Sequence, residues 1–376
     1  MIEKKLNLGI VFGGKSPEHE VSIITAFQVW PWINKKKYQP FLIYLNYNNQ
    51  AFLCPSIKKQ NYQKFIENTL RKKDYLNFIK GGVCLKKGFL KKKIDLDTVL
   101  LLTHGGSGEN GQIQGLLDFF DIPYTGSNLL TSAITMDKVL TKESFTKIGL
   151  KTLPYFWFEY KDFKKDQKQT IADIENKLKY PLFVKPARSG SSIGINKVKN
   201  RKELVGAIDK AAVFDNKILI EESLKDAIDI NCAVMGGSNP LISPCEQPLS
   251  DEQFLSFQEK YLKGSKNKGM ASLSRIIPAP IPEKKTLEIK NMAKIIFEEI
   301  ILWGMSRIDF LYQKETSKVY PNEINSIPGS LAFYLWQAKN IQPQQLIDKM
   351  IDLAIERKKQ EKKIKYFFKS EILNQG

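Results

Sequence analysis

The stretch 303-WGMSRIDFLYQKETSKVYPNEINSIPG-329 reads as two strands, over 303–312 and 318–325, that carry acids and an amide among their apolar residues. Asp309 alternates with Ile308 and Phe310 and so faces away from both. Glu323 and Asn325, two apart, share one face of an extended chain. Two carboxylates and an amide at neighbouring strand ends form an all-oxygen set suited to magnesium, and Arg307 beside them can meet an anion. Such side chains on adjacent strands are poor structural design unless a cation or ligand neutralises them.

A second run extends this reading. In 181-PLFVKPARSGSSIG-194, Lys185 is held at a strand end where an apolar residue would be easier to bury. Successive backbone N–H groups and the hydroxyls of Ser191 and Ser192 suit a polyphosphate, although a plain turn fits the same residues. The strand KILIEE ends in Glu221 and Glu222. A carboxylate there could grip a ribose hydroxyl or an adenine amino group, or simply mark the surface. The glycine runs 11-VFGGKSPEHE-20 and 104-HGGSGENGQIQG-115 match neither GxGxxG nor GxxxxGK[ST], so neither a dinucleotide fold nor a P-loop is supported. His19 and His104 lack the partners of a zinc site. His104 could hydrogen-bond within an active-site loop, and His19 fits either orientation of Glu18 or a surface role.

Periodicity predicts an N-terminal region of about 125 residues that alternates strand and helix like an open α/β domain, with ligands gathered at strand carboxyl ends. Its polar segment 47–94 is expected to hold an inserted helix or hairpin. A helix over 130–147 follows. Strands at 152–158, 181–185, 193–198 and 217–222, with helices near 168–178 and 201–212, make a small α+β module. The rest comprises a lysine- and glycine-rich loop at 259–271, a helix at 283–301, the two strands quoted first, and a final helix running to the C-terminus.

Composition sets outer bounds. A chain of 376 residues calls for two or three domains, and 42% hydrophobic with 11% aromatic residues supports packed cores. The formal charge of +18 is spread along the chain and carried mostly by lysine; the arginines are Arg71, Arg188, Arg201, Arg275, Arg307 and Arg357. With no aromatics interleaved among the bases, nucleic acid is not an expected partner. The basic tail 358-KKQEKKIKYFFK-369 reads as an amphipathic cap or a contact for an anionic surface. Cys54, Cys84, Cys232 and Cys245 have no CxxC spacing and read as thiols in a reducing compartment. The apolar run in MIEKKLNLGIVFGG is too short for a signal peptide or a membrane span, so a cytoplasmic enzyme without a membrane partner is expected.

Taken in order, GGKSPEHEVS, HGGSGENGQIQG, IPYTGS, MDKVLTK, PLFVKPARSGSSIG, ILIEE, EKYL, SRIDF and NEINSIPGS resemble the D-alanine–D-alanine ligase family of the ATP-grasp superfamily. They span residues 13–330. The resemblance implies a three-domain ATP-grasp fold of α/β and α+β parts: an N-terminal open α/β substrate domain (1–128), a central domain (129–225) and a C-terminal catalytic domain (226–376). ATP would lie between the last two. It implies that Glu18, near Ser191, holds the amino group of a first D-alanine, and that Lys138, Lys185 and Lys260 contact phosphate. Glu221, with Glu222 and Ser192 nearby, would bind nucleotide. Asp309, Glu323 and Asn325 would hold two magnesium (or manganese) ions. Arg307 and the N–H of Gly329 would stabilise an oxyanion formed when a second D-alanine attacks an acyl phosphate. A homodimer is implied as well.

Three positions bear on how far the resemblance reaches. Asp229 occupies the place of a ribose-binding glutamate and is one methylene shorter. Tyr261, in the loop expected to cover the site, goes with dipeptide synthesis, whereas a cationic residue there would help admit D-lactate. After NEINSIPG the family usually continues with threonines and serines, one of which helps bind the second carboxylate. Here 329-GSLAFYLW-336 offers Ser330 or Tyr334 instead. The alternatives are a ligase for D-lactate or another amine, and a non-catalytic nucleotide-binding homologue.

Overall fold

The computed structural model describes residues 4–57, 61–72, 74–87, 90–249 and 274–365, with Phe368 and Ser370. Its strands build three sheets. The first begins with β1 (Leu6–Gly13), α1 (His19–Val29) and β2 (Tyr38–Leu45). The helix carries the chain back along the sheet, so β1 and β2 run parallel. β3 (Ala51–Leu53) follows a tight turn and is antiparallel to β2. Then come α2 (Tyr62–Lys72), β4 (Tyr75–Ile79), β5 (Gly82–Lys87) and β6 (Leu90–Asp95), before β7 (Thr98–Leu101) pairs parallel with β1. The strand order is β6-β5-β4-β3-β2-β1-β7. Segment 47–94 therefore contributes both a helix and hairpins, and extends the sheet antiparallel on one side. α3 (Gln112–Phe119) leads away from it.

The single helix expected over 130–147 is two: α4 (Leu129–Met136) and α5 (Lys138–Lys147). Asp137 adopts an extended conformation between them, and its carboxylate accepts the N–H groups of Val139 and Leu140. This N-cap restarts the helix and sets Lys138 at its first position. β8 (Tyr155–Glu159), α6 (Tyr160–Lys165), α7 (Gln167–Lys177), β9 (Leu182–Pro186), β10 (Asn196–Val198), α8 (Arg201–Ala212) and β11 (Lys217–Glu222) then form an antiparallel sheet ordered β10-β9-β11-β8. Leu182, Val184, Ile218 and Ile220 pack with Ile174, Leu204 and Ile208. The two-residue period sends Lys185, Leu219 and Glu221 to the opposite face.

The third sheet is β12 (Ala227–Gly236), β13 (Leu241–Pro248), β14 (Arg275–Ile276), β15 (Gly304–Gln313) and β16 (Lys318–Asn325), ordered β14-β13-β12-β15-β16 and antiparallel. The helix Glu283–Glu299 covers one face, with Ile289, Ala293, Ile296 and Phe297 packing against Ile230, Cys232, Val234, Ile308 and Phe310. Full burial of each larger side chain stabilises by about 1.5–3 kcal/mol. That leaves the other face for polar residues. A bulge after Asp309 offsets β16, so that Asp309 faces Glu323 while Phe310 faces Pro321.

The chain ends by returning to the first sheet. Leu346, Ile347, Met350 and Ile351 of the helix Pro343–Glu361 share a core with Val11, Leu100 and Leu102. The final helix stops at Glu361 rather than running to the C-terminus. Lys362, Lys363, Ile364 and Lys365 are exposed, so no core face sustains another turn. Among the described residues no helix is long and apolar enough to cross a membrane.

Candidate active site

Strand register builds the site from one side. Glu246 on β13, Asn231 on β12, Asp309 on β15 and Glu323 on β16 stand opposite one another across four strands, and Arg307 pairs with Asn325 in the next row. Arg307 donates from Nε and Nη2 to the two oxygens of Asp309, each at 2.6 Å, and Asn325 Nδ2 donates to Asp309 Oδ2 at 3.0 Å. Arg307 is buried. Burial opposes its charge, but Asp309, followed by Tyr334 and Glu246, raises its pKa above the ordinary arginine value.

Glu18, at the start of α1, anchors the other side. It is buried, and the Ser191 hydroxyl donates to its Oε1. Two glycines let two loops close on the same carboxylate: a Cβ on either Gly105 or Gly190 would stand 2.3 Å from Glu18 Oε2. Ser191 and Ser192 both take left-handed backbone angles, with φ of 49° and 60°. Non-glycine residues pay a strain for this, of about 1–3 kcal/mol each, which marks the loop as shaped for something other than stability.

Glu109 and His104 belong to the site, although only His104 is given a possible role in the sequence reading. Glu109 accepts the N–H groups of Gly105 at 2.9 Å and Ile327 at 3.0 Å, joining the glycine loop after β7 to the segment after β16. Burial, then the neighbouring Glu18, pushes its pKa up to about 7 against the pull of those amides. His104 Nδ1 donates to Ile327 O at 3.0 Å and Nε2 accepts from Thr25 Oγ1 at 3.0 Å, and burial pushes its pKa down to about 4. It is a neutral spacer rather than a cation.

Three lysines lie beside the second sheet, Lys138 and Lys142 on α5 and Lys185 near the end of β9. Lys138 Nζ donates to Ser189 O at 2.5 Å and lies 4.0 Å from Glu323 Oε2, tying the serine loop to the acidic strand. Lys185 pairs with Oε1 of Glu221, and Lys142, singled out by no motif reading, lies 2.9 Å from Oε2. Burial would raise the Glu221 pKa, but Lys142 and Lys185 outweigh it and hold the group at about 2. Glu222 is not brought to this cluster: on the opposite face of β11, it accepts the N–H of Lys179 at 2.9 Å. Asp229 lies across from Leu311, two residues along β12 from Asn231 and on the same face.

One cavity gathers these elements. Glu18, His104, Glu109, Lys138, Ser191, Arg307, Glu323, Asn325 and Gly329 line it. In the segment that departs from the family pattern, Ser330 turns away and donates to Gln28 Oε1 at 2.7 Å. Tyr334 instead donates to Glu246 Oε1 at 3.1 Å, with the Arg275 guanidinium 3.5 Å above its ring, and so backs the polar row beside Arg307. Lys260 and Tyr261 lie outside the described residues.

Metal chemistry fits this donor set in kind. Asp309, Glu323 and Asn325 present hard oxygens on adjacent strands, as magnesium prefers. Among the described residues no three acidic, histidine or cysteine side chains cluster closely enough to hold a metal. Asp309 would have to exchange the Arg307 fork for the ion.

Similarity to known proteins runs over nearly the whole chain. Residues 7–127 match the family profile described as D-ala D-ala ligase N-terminus, and residues 145–352 match D-ala D-ala ligase C-terminus. The D-alanine–D-alanine ligase of Thermosipho melanesiensis is 41% identical over 360 residues, covering 95% of this chain and 96% of that one. That of Staphylococcus epidermidis is 37% identical over 369 residues, covering 96% and 98%. Among solved structures, the D-alanine–D-alanine ligase from Coxiella burnetii superposes with a TM-score of 0.78 at 25% identity, over 96% of each chain. The VanG D-Ala:D-Ser ligase from Enterococcus faecalis gives 0.78 at 26% identity, over 93% of this chain and 100% of that one.

Proposed function

Because this chain belongs to the D-alanine–D-alanine ligase family of the ATP-grasp superfamily, we propose that the cavity between Glu18 and the β15–β16 acids is where it joins its two substrates. The protein is an ADP-forming ligase that uses ATP to join D-alanine to D-alanine for peptidoglycan synthesis. A three-domain division near residues 128 and 225 is our reading of its three sheets.

The observation that carries the assignment is convergence. Residues from the α1 start, the serine loop, α5, β15 and β16 line one cavity, although they lie as far apart in sequence as Glu18 and Gly329. Glu18, oriented by Ser191, holds the ammonium of the first D-alanine. The carboxylate oxygen of this first D-alanine attacks the terminal phosphorus of ATP, the bond to ADP breaks, and a D-alanyl phosphate forms. The amine of the second D-alanine, having lost a proton, attacks the acyl carbon. Phosphate departs with one of the original carboxylate oxygens. Lys138 and Lys185 offset charge on the phosphoryl oxygens, and Glu221 and Asp229 hold the nucleoside. Arg307 and the Gly329 N–H meet the oxyanion of the second step, and Arg307, backed by Tyr334 and Glu246, faces the second carboxylate.

Asp309, Glu323 and Asn325 would hold divalent metal, two magnesium ions in our reading, whose bound charge polarises the transferred phosphoryl group. Lys260 and Tyr261 are carried over from the family pattern as covering-loop residues. A homodimer is proposed as well; α3 and α4 expose Phe119 and Leu130, apolar residues suited to a subunit contact.

Ligation of D-alanine labelled with 18O in both carboxylate oxygens tests the acyl phosphate. One labelled oxygen should appear in the released phosphate for each dipeptide made. Phosphate without label, formed together with dipeptide, would overturn the route.

A further inference from the structure

The assignment above leaves Lys142 idle, and its setting is unusual. Its side chain is 2% exposed, inside α5, with its ammonium 2.9 Å from Glu221 Oε2 and 5.7 Å above the Tyr155 ring. Placing a charged ammonium there costs several kcal/mol unless it is compensated, whereas an apolar residue of similar volume would cost nothing. Lys185 already pairs with the other oxygen of the same carboxylate, so Glu221 does not need Lys142 to be neutralised while Lys185 stays.

The charge count suggests what the third group does. One carboxylate and two ammonium groups leave a net positive charge in the cluster. Were Lys185 the sole partner of Glu221, the pair would be closed and neutral. Drawing Lys185 toward a phosphate would then strand a carboxylate that is 1% exposed. With Lys142 on the second oxygen, Glu221 keeps a counterion when Lys185 leaves. The two lysines are not equivalent. Lys185 is at the end of β9, its side chain 11% exposed, immediately before the serine loop. Lys142 is enclosed in the middle of α5, its side chain only 2% exposed.

We propose that Lys142 is a positioning residue: a fixed counterion for Glu221 that frees Lys185 to engage the phosphates of the nucleotide. The proposal rests on the assignment of Lys185 to nucleotide phosphate made above. Lys142 itself touches no substrate.

Calorimetric binding of ADP and of adenosine to the full chain separates this role from a scaffolding one. In Lys142→Met, Glu221 holds Lys185 alone. ADP affinity should fall about 10- to 100-fold, as for loss of a charge-assisted contact, while adenosine affinity changes less than about threefold. Lys142→Arg should bind ADP within about threefold of the parent chain, since the counterion is kept. The double variant Lys142→Met/Glu221→Gln should recover at least about tenfold in the ratio of ADP to adenosine affinity over Lys142→Met, because nothing then retains Lys185. Equal losses for ADP and adenosine, or no recovery in the double variant, would overturn the proposal and leave Lys142 a packing group.

Should Lys142→Met not fold, Glu221→Gln alone decides. Its ratio of ADP to adenosine affinity must equal or exceed that of the parent chain, and a lower ratio rejects the proposal. A parent chain that binds neither ligand would remove the nucleotide assignment together with this inference.

Discussion

Arg307 and Asp309, two residues apart on β15, grip each other through two guanidinium nitrogens and two carboxylate oxygens, both contacts at 2.6 Å. Arg307 lines the cavity, while Ile308 and Phe310, on either side of Asp309, fill the core behind. In the proposed reaction the two part: Asp309 turns to metal and Arg307 to the oxyanion and second carboxylate. The structure thus holds two groups of opposite charge that stabilise one another until substrates compete for them.

Arg307→Lys tests that division. Lysine keeps the charge but loses the planar fork, so it cannot reproduce the bidentate contact. The expected outcome is a fall in kcat of about 100- to 1,000-fold with little change in the KM for ATP. Steady-state kinetics with each substrate varied in turn would show it. A variant that loses ATP binding instead would place Arg307 at the nucleotide.

Ser191→Ala should leave Glu18 in place but less well oriented. A hydrogen bond to a charged group contributes about 1.5–3 kcal/mol, so the KM for the first D-alanine should rise about 10- to 100-fold. ATP affinity should not follow. Gly190→Ala should be worse, since its new Cβ would collide with Glu18 Oε2 at 2.3 Å.

Glu109 makes a pH prediction of definite sign. Its pKa is raised from 4.5 to about 7, so between those values the folded protein holds more protons than the unfolded chain. This contribution to stability is therefore present at low pH and is lost as pH rises through that window. Thermal melts across it should show the loss in the parent chain and a flatter dependence in Glu109→Gln. A variant profile that parallels the parent would show that Glu109 is not the group responsible.

Tyr334→Phe removes a hydroxyl that Glu246 otherwise accepts at 3.1 Å. The buried carboxylate loses one partner while keeping Arg275 at 2.9 Å and Asn231 at 3.0 Å. The KM for the second D-alanine should rise about three- to tenfold, with the first site unaffected. Measuring initial rates over a wide D-alanine range distinguishes the two sites. Ser330→Ala, whose hydroxyl points to Gln28, should leave both unchanged within about twofold.

What the sequence revealed follows from what is local. Asp309, Glu323, Asn325 and Arg307 were legible because strand periodicity sends them to one face, and apolar neighbours report the other. The bulge after Asp309 and the pairing of Glu246 and Asn231 with that row depend on register between strands, which no short pattern encodes. Lys142 did carry a trace: it lies one helical turn beyond Lys138, between Val139 and Phe145, both buried, where a free lysine has no reason to be. Glu109 was visible only as part of a glycine run, because the amides it accepts come from Gly105 and, far along the chain, Ile327. The α4–α5 break was there to be seen in Asp137, a capping residue amid an otherwise continuous apolar pattern.

The proposed site couples ATP cleavage to dipeptide formation. Phosphate release by the purified protein with magnesium and ATP, with and without D-alanine, and with the product identified by mass spectrometry, tests it most directly. Phosphate release should depend on D-alanine, with one D-alanyl-D-alanine per phosphate, and both should be lost in Asp309→Asn. Phosphate release indifferent to D-alanine, or a product other than the dipeptide, would contradict it.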